Sequence, residues 1–209
     1  MPLMPKSPKR KTQSWVSFRK DGIDAVYCQS DTLPVTQSSG PIRITRATER
    51  DVPLILQFIR ELAEYERAPD AAVATVEILT DALFGERPAA EVLIAYLDDE
   101  PAAFALFFHN FSTWLGRRGV YLEDIFVRPP ARRNGVGAAL FREIAAIAIE
   151  RGCGRVEWSV LNWNELAISF YRKIGAVALD DWTTFRLIGE PLATLARISP
   201  LEFGDRSPR

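Results

Sequence analysis

Apolar and polar residues follow regular patterns along the chain from residue 42 onward. The stretch IRITRAT (42–48) alternates with a period of two, which predicts a strand, because successive side chains of a strand point to opposite faces. From Val52 to Ala63 apolar residues recur every three or four positions, which predicts a helix with Thr48 as its N-cap residue. A second, shorter helix is predicted from Thr75 to Phe84.

The rest of the chain alternates between these two patterns. Three strands are predicted in succession, EVLIAYLDD (91–99), AAFALFFHNF (102–111) and VYLEDIFV (120–127), with a turn at DDEP between the first two. The next predicted elements are a helix ending near Gly152, a strand at RVEWSVL (155–161), a helix at ELAISFYRKIG (165–175) with Gly175 in the C′ position, and a closing strand at TTFRLI (183–188). This order predicts one α/β domain with a mixed central sheet, antiparallel in its N-terminal strands and covered by helices on both faces.

The domain is predicted to span residues 41–195. Residues 1–40 are polar, basic and contain prolines, which predicts a poorly ordered extension or an over-extended start, and they lack the apolar core of a secretory signal. Residues 196–209 are predicted to form a C-terminal tail. The first 40 residues hold six Lys and Arg against three Asp, which leaves a net charge of about −4 for the remainder and favours a cationic partner.

The amino-acid composition excludes several classes of protein. Of the 209 residues, 47% are hydrophobic, and the net charge of −1 excludes a general nucleic-acid or membrane surface. No apolar run approaches the roughly 18 residues that a membrane span requires. Cys28 and Cys153 have no paired spacing, which indicates a reducing compartment, the cytoplasm, and the single histidine, His109, excludes a His-rich metal site. We therefore expect no metal, nucleic-acid or membrane partner.

A charged, glycine-containing loop, RPPARRNGVGAALF (128–141), leads into the third predicted helix. The N-terminus of a helix exposes unpaired N–H groups and carries the positive end of the helix dipole, so that it favours anions, phosphates above all. Gly135 and Gly137 would let a phosphate approach the backbone, and Arg132 and Arg133 add positive charge. The loop lacks the Gly-Lys-Ser/Thr of a P-loop and the third glycine of the dinucleotide fingerprint. A glycine-containing turn at a helix start is the structural alternative.

Two motifs in this half of the chain resemble signatures of the GCN5-related N-acetyltransferase (GNAT) superfamily. The loop Arg132-Arg133-Asn134-Gly135-Val136-Gly137, set between a strand and a helix, resembles the acetyl-CoA motif Arg/Gln-x-x-Gly-x-Gly/Ala. The second motif is Asn-x-x-Ala-x-x-Phe-Tyr-x-x-x-Gly, which is matched by Asn164, Ala167, Phe170, Tyr171 and Gly175. The resemblance covers residues 42 to about 190.

The resemblance implies acetyl-CoA as co-substrate and a place for each of its parts. The amides from Arg133 to Ala138 would hold the pyrophosphate, the strand from Ile125 to Val127 would pair with the pantetheine arm, and an N–H near Val127 would polarise the thioester carbonyl. Asn164 and Ala167 would line the other side, with helix capping as the structural alternative for Asn164. The residues assigned to acetyl-CoA are Ile125, Phe126, Val127, Arg132, Arg133, Asn134, Gly135, Val136, Gly137, Ala138, Asn164, Ala167 and Tyr171.

Acetyl transfer to an amine sets chemical requirements of its own. The amine must lose a proton before it can attack. The departing thiolate must gain one, because a free thiol has a pKa of about 8.5 and is therefore mostly protonated at neutral pH. Tyr171 is the predicted acid, since a phenol is protonated at neutral pH. Glu123 is the predicted base, acting directly or through water; it and Asp124 point to opposite faces of a strand unless a bulge intervenes. Cys153 follows a helix end and suggests no covalent intermediate, so direct attack by the amine is predicted.

Within the superfamily, the chain resembles the diamine acetyltransferases and their thialysine-acetylating relatives. By position, the implied substrate contacts are Tyr65, Glu66, Trp114, Glu123 and Asp124. Ser112 stands where the polyamine enzymes tend to carry an acid, which favours a smaller diamine or amino-acid-like substrate over a polyamine. A protein or peptide acceptor and a non-catalytic acetyl-CoA-binding module stay open as alternatives. The branch also implies a homodimer.

Overall fold

The computed structural model describes residues 41–198, and the structural statements below refer to that part of the chain. The extension predicted for residues 1–40 and most of the tail predicted for residues 196–209 lie outside the described residues. The strands are β1 (Ile42–Arg46), β2 (Glu91–Leu97), β3 (Glu100–Ser112), β4 (Arg117–Val127) and β5 (Val156–Trp158). The helices are α1 (Val52–Tyr65), α2 (Val76–Phe84), α3 (Val136–Glu150), α4 (Glu165–Lys173) and α5 (Gly189–Arg197).

The five strands form one sheet in chain order, from β1 to β5. The first four are antiparallel neighbours, and β4 and β5 are parallel. The helix α3 joins the parallel pair, because two parallel strands need a long crossover between them. The turn between β2 and β3 holds Asp98 at φ 53° and Asp99 at φ 63°, as expected for a two-residue hairpin with a primed turn. The predicted mixed sheet with hairpin-linked N-terminal strands is confirmed.

Apolar side chains fill both faces of the sheet. On one face α1 and α2 pack against strand residues that include Ile94, Phe104 and Phe126. On the other face α3 packs against Leu93, Ala105 and their neighbours. Because β2 and β3 are covered on both sides, their sequences are almost continuously apolar rather than alternating. The predicted helices on both faces are confirmed.

The caps at Thr75 and Gly175 follow the predicted local signals, whereas the N-cap of α1 is Asp51 and not Thr48, which lies one 3₁₀ turn earlier. A short 3₁₀ turn precedes α1, and the Asp51 carboxylate there accepts from the Thr48 amide at 2.7 Å and the Thr48 hydroxyl at 2.8 Å. The Thr75 hydroxyl caps α2 by accepting from the Ile78 amide at 3.3 Å. At the end of α4, Gly175 adopts φ 88°, and the Ala176 amide donates to the Tyr171 carbonyl at 3.0 Å, which is the bond of a glycine C′ cap.

Two strand predictions near the C-terminus need correction. The strand predicted at 155–161 is confined to Val156–Trp158, and the closing strand predicted at 183–188 is wrong, since these residues are irregular and lead into α5. The pattern TTFRLI suits a strand, but a strand forms only where its N–H and C=O groups find a neighbour. Within residues 41–198 no strand lies on the outer side of β5.

Candidate active site

The C-terminal half of β4 has a neighbouring strand on one side only. Its residues Ile125, Phe126 and Val127 pair with β3, whereas β5 pairs with β4 only at Val120–Leu122. On the β5 side, no strand within residues 41–198 covers the section from 123 to 127. Alternate N–H and C=O groups of an antiparallel strand point away from its neighbour. This edge therefore offers backbone hydrogen bonds to an extended ligand, and its pairing with the pantetheine arm stays a prediction.

A β-bulge lies at the start of this open edge. Leu106 of β3 pairs with Asp124 and Phe107 pairs with Leu122, so Glu123 is the extra residue on β4. At the bulge the two acids lie in different environments: Glu123 is exposed, and Asp124 is half-buried. The predicted exception to strict alternation therefore occurs here.

The N-terminus of α3 follows directly after the open edge. Its first helical hydrogen bond runs from the Ala139 amide to the Gly135 carbonyl at 2.9 Å, so the amides from Val136 to Ala138 have no helical acceptor. Arg133 at φ 66° and Gly135 at φ 81° turn the chain through the left-handed region on its way into the helix. A loop of this shape aims several amides at one point, which suits an anion. These residues fit the pyrophosphate of acetyl-CoA.

The arginines of this loop differ in position. Arg132 is turned inward: its Nε donates to the Val127 carbonyl at 2.9 Å, and its guanidinium carbon lies 4.6 Å from the centroid of the Tyr65 ring. Arg133 is exposed. Arg132 thus connects the end of β4 to α1, and Arg133 is the exposed charge beside the α3 amides.

An ion pair that sequence analysis missed fixes α1 against the end of β4. Arg128 donates through Nε and Nη2 to the two carboxylate oxygens of Glu61, each at 2.8 Å, and through Nη1 to the Pro101 carbonyl at 2.8 Å. The guanidinium also lies 4.4 Å from the Phe58 ring centroid. The pair lowers the pKa of the Glu61 carboxyl, chiefly through the hydrogen bond from Arg128. A separation of 67 residues leaves no local sequence signal for it.

The end of α1 brings acids and aromatics to the open edge. Burial, together with the negative charges of Glu123 and Glu66, raises the pKa of Asp124 to about 6. Partial burial likewise raises the pKa of Glu66. Three carboxyl groups therefore share one region, where a cationic ligand would offset their mutual repulsion.

Tyr171 of α4 belongs to the same region. Burial raises the pKa of its phenol to about 12, with further contributions from Tyr65 and Glu66. Its ring packs edge-on against Phe141 at 5.5 Å and Trp158 at 5.1 Å, measured between centroids. The packing fixes the ring, and the raised pKa keeps the hydroxyl protonated at neutral pH, as a proton donor requires.

Asn164 connects α1 to α4. Its Oδ1 accepts from the Ala167 amide at 3.3 Å, which confirms it as the N-cap of α4, and also accepts from the Tyr65 hydroxyl at 3.3 Å. The Tyr65 ring contacts Trp163 with centroids 5.7 Å apart. Ala167, the other residue assigned to this side of the cofactor, is half-buried in the first turn of α4.

Within one chain, Trp114 lies at the opposite end of β4 from Glu123 and Asp124. It lies in the turn between β3 and β4 with 74% of its surface exposed. Arg117, next to that turn, and Glu123 are six positions apart on β4, a distance of about 20 Å at roughly 3.3 Å per residue. Its assignment to the substrate site stays a prediction.

Cys153 packs at the edge of the core beyond α3, as predicted for a structural thiol.

Between residues 41 and 198, no group of three or more His, Cys, Asp and Glu side chains is placed to hold a metal ion. No helix in this range has the length and apolar character needed to cross a bilayer.

Comparisons with known proteins agree with this geometry. Residues 56–176 match the model of the acetyltransferase (GNAT) family. The chain is 36% identical over 166 residues to the thialysine N-epsilon-acetyltransferase of Bos taurus, covering 74% of this chain and 97% of the relative. It is 32% identical over 219 residues to an L-ornithine N5-acetyltransferase of Arabidopsis thaliana, covering 82% and 96%. An integron cassette protein from the mobile metagenome of V. cholerae superimposes with a TM-score of 0.64 at 28% identity, covering 75% and 98%.

The fold and the open edge beside a glycine-containing helix start define an acyltransferase domain. The chain belongs to the GNAT family of acetyltransferases, and it is an N-acetyltransferase. Enzymes of this family use acetyl-CoA as co-substrate.

Replacement of Gly135 by Val tests the phosphate-binding loop. A β-carbon at Gly135 would meet only Ile42 Cδ1, at 3.8 Å, but the φ of 81° is strained for valine, at a cost of about 1–3 kcal/mol. Relief of that strain would move the amides of the loop, so we expect the Kd for acetyl-CoA, measured by calorimetry, to rise by about tenfold or more. Gly116→Val is the control, since Gly116 has a φ of 60° and lies in the distant β3–β4 turn. An unchanged affinity in the Gly135 variant would contradict the loop's role.

Proposed function

We propose that this enzyme transfers the acetyl group of acetyl-CoA directly to the primary amine of a small cationic substrate. The observation that carries the proposal is the meeting of Glu66, Glu123 and Asp124 with Tyr171 beside the open edge of β4. The acids provide negative charge for an ammonium group, and the phenol provides a proton for the leaving group. The relatives named for thialysine and ornithine favour an amino-acid-like substrate with a side-chain amine.

Each part of the site has a different role in the proposed reaction. Acetyl-CoA supplies an acetyl thioester. The amides from Val136 to Ala138 bind its pyrophosphate, and an N–H near Val127 donates to the thioester carbonyl oxygen as negative charge develops there. Tyr171 donates its hydroxyl proton to the leaving sulfur. A carboxylate at the bulge accepts the proton that the ammonium must lose before its nitrogen can attack.

Burial distinguishes the two carboxyl groups that are candidates for the base. With a pKa of about 6, Asp124 is ionised at neutral pH and still a stronger base than an ordinary aspartate. Glu123, the base predicted from sequence, is exposed on the bulge and would act through water. We propose Asp124 as the base and Glu123 as an electrostatic contact for the substrate cation.

The enzyme is further proposed to work in the cytoplasm as a homodimer. The compartment is supported by the two cysteines without paired spacing. The dimer is supported by the likeness to the diamine acetyltransferase branch and by the exposed apolar side chains of Trp182 and Phe185 between α4 and α5.

Removal of the Tyr171 hydroxyl tests whether this residue donates the proton to the leaving sulfur. Tyr171→Phe keeps the ring in its aromatic packing and deletes the proton donor, so kcat should fall by roughly 10²-fold. The Kd for acetyl-CoA, measured by calorimetry, should change little. Tyr96→Phe on β2 is the control, since Tyr96 stacks with Arg43 at the opposite end of the sheet order. Turnover equal to that of the unmodified enzyme would exclude Tyr171 as the acid.

The pH dependence of kcat/KM tests whether Asp124 is the base. The raised pKa of Asp124 means that its carboxylate is present above about pH 6 and is lost as the pH falls through that value. We expect kcat/KM of the unmodified enzyme to fall about tenfold per pH unit below about 6, and Asp124→Asn to lower kcat by roughly 10²-fold and abolish this limb. Glu123→Gln is the matched control and should mainly raise the KM for the amine. The reverse pattern would assign the base to Glu123.

A further inference from the structure

The helix α1 ends in a turn that has an arginine where helices usually carry glycine. The Ala68 amide donates to the Ala63 carbonyl at 2.9 Å, and the Arg67 amide donates to the Glu64 carbonyl at 3.1 Å. These two bonds form a Schellman motif, in which the residue at the C′ position adopts the left-handed conformation. Arg67 occupies this position at φ 62°, a backbone conformation that favours glycine because glycine has no β-carbon. An arginine in this strained conformation indicates a use for its side chain.

The guanidinium of Arg67 contacts an aromatic ring rather than an acid. Its central carbon lies 5.3 Å from the centroid of the Trp163 ring. Within residues 41–198 Arg67 forms no ion pair. Burial raises the pKa of its neighbour Glu66, whereas a pairing with Arg67 would lower it. Because Arg67 is exposed, its N–H donors are accessible to a ligand.

Arg67 lies at the border of the proposed active site. Trp163, the ring that it contacts, also contacts Tyr65, with ring centroids 5.7 Å apart. Glu66, which precedes Arg67, is close enough to Asp124 for its charge to raise the pKa of that carboxyl. A cation therefore lies one residue beyond an acid that is proposed to attract the substrate amine.

We propose that Arg67 binds the α-carboxylate of an amino-acid substrate whose side-chain amine is acetylated. A guanidinium presents two parallel N–H donors that match the two oxygens of a carboxylate, a geometry that lysine lacks. In ornithine or thialysine the side-chain nitrogen and the carboxyl carbon are about five or six bonds apart, roughly 6–8 Å in an extended chain. The acids would bind the ammonium end of such a substrate, and Arg67 would bind its anionic end. The carboxylate contact rests on the proposed function, since it concerns the other end of the same substrate.

The other anion that the reaction brings to the site is a phosphate of acetyl-CoA, and the structure favours the carboxylate. The amides from 136 to 138, which have no helical acceptor, and the exposed Arg133 follow the end of the open edge at Val127. Arg67 instead follows Glu66, which lies near Asp124 at the beginning of that edge. Affinity for acetyl-CoA therefore distinguishes the two anions.

The variant Arg67→Gly, assayed with matched pairs of substrates, tests the carboxylate contact. Glycine suits a φ of 62° better than arginine does, so the variant should fold at least as well as the unmodified protein. The pairs are ornithine with putrescine, and thialysine with the diamine that its decarboxylation gives, so the members of a pair differ only in the carboxylate. The unmodified enzyme should prefer the amino acid. The variant should lower the ratio of the two kcat/KM values by about tenfold or more, through a higher KM for the amino acid.

Two further variants complete the test. Arg60→Gln is the matched control, because Arg60 is an exposed arginine of the same helix, and the ratio should stay that of the unmodified enzyme. In Arg67→Glu the KM for ornithine should rise and the KM for putrescine should fall, since the second ammonium of putrescine would then meet an acid. The Kd for acetyl-CoA, measured by calorimetry, should be unchanged in every variant.

The possible failures are distinguishable. An unmodified enzyme that uses putrescine as well as ornithine, a ratio unchanged in Arg67→Gly, or a weaker affinity of that variant for acetyl-CoA would overturn the carboxylate contact and leave the proposed function standing. If the unmodified enzyme acetylates neither member of either pair, the proposed function fails and the carboxylate contact fails with it.

Discussion

The site depends on the short length of β5. Because β5 ends at Trp158, the last five residues of β4 keep one edge of backbone groups without a partner strand. A row of N–H and C=O groups without a partner strand can form hydrogen bonds with a ligand of extended shape. The α3 amides stand where this edge ends, and the bulge at Glu123 stands where it begins. One end thus suits an anion, and the other presents acids to a cation.

The walls of the site are held by interactions between elements that are distant in sequence. Arg128 fixes α1 by its two bonds to Glu61, and Arg132 adds a bond to β4 and a stack on Tyr65. Tyr65 in turn donates to Asn164, the cap of α4. Hydrogen bonds therefore link α1 to the helix that carries Tyr171, and these contacts hold the phenol, the carboxylates and the glycine-containing loop in fixed relative positions.

Local sequence signals predicted most of the fold and the outline of the site. The hairpins, the caps at Thr75 and Gly175 and the glycine-containing loop depend on neighbouring residues, and they occur as predicted. The different environments of Glu123 and Asp124 could not be predicted from local sequence, because the burial that raises the pKa of Asp124 depends on the packing and on the register with β3. The prediction of a strand at 183–188 failed for a related reason, since its pattern suits a strand but within residues 41–198 it pairs with no other strand. The Arg128–Glu61 pair has no local signal.

Acetyl-CoA-dependent thiol release by the purified full chain, measured against a panel of amines, tests the central claim most directly. The panel contains thialysine, ornithine, lysine, short diamines, spermidine and several peptides with free amines. The arrangement of acids around the phenol predicts release with a small cationic amine well above that with any peptide. No release across the small amines, while calorimetry still detects acetyl-CoA binding, would contradict the account and point to a protein acceptor or to a non-catalytic role.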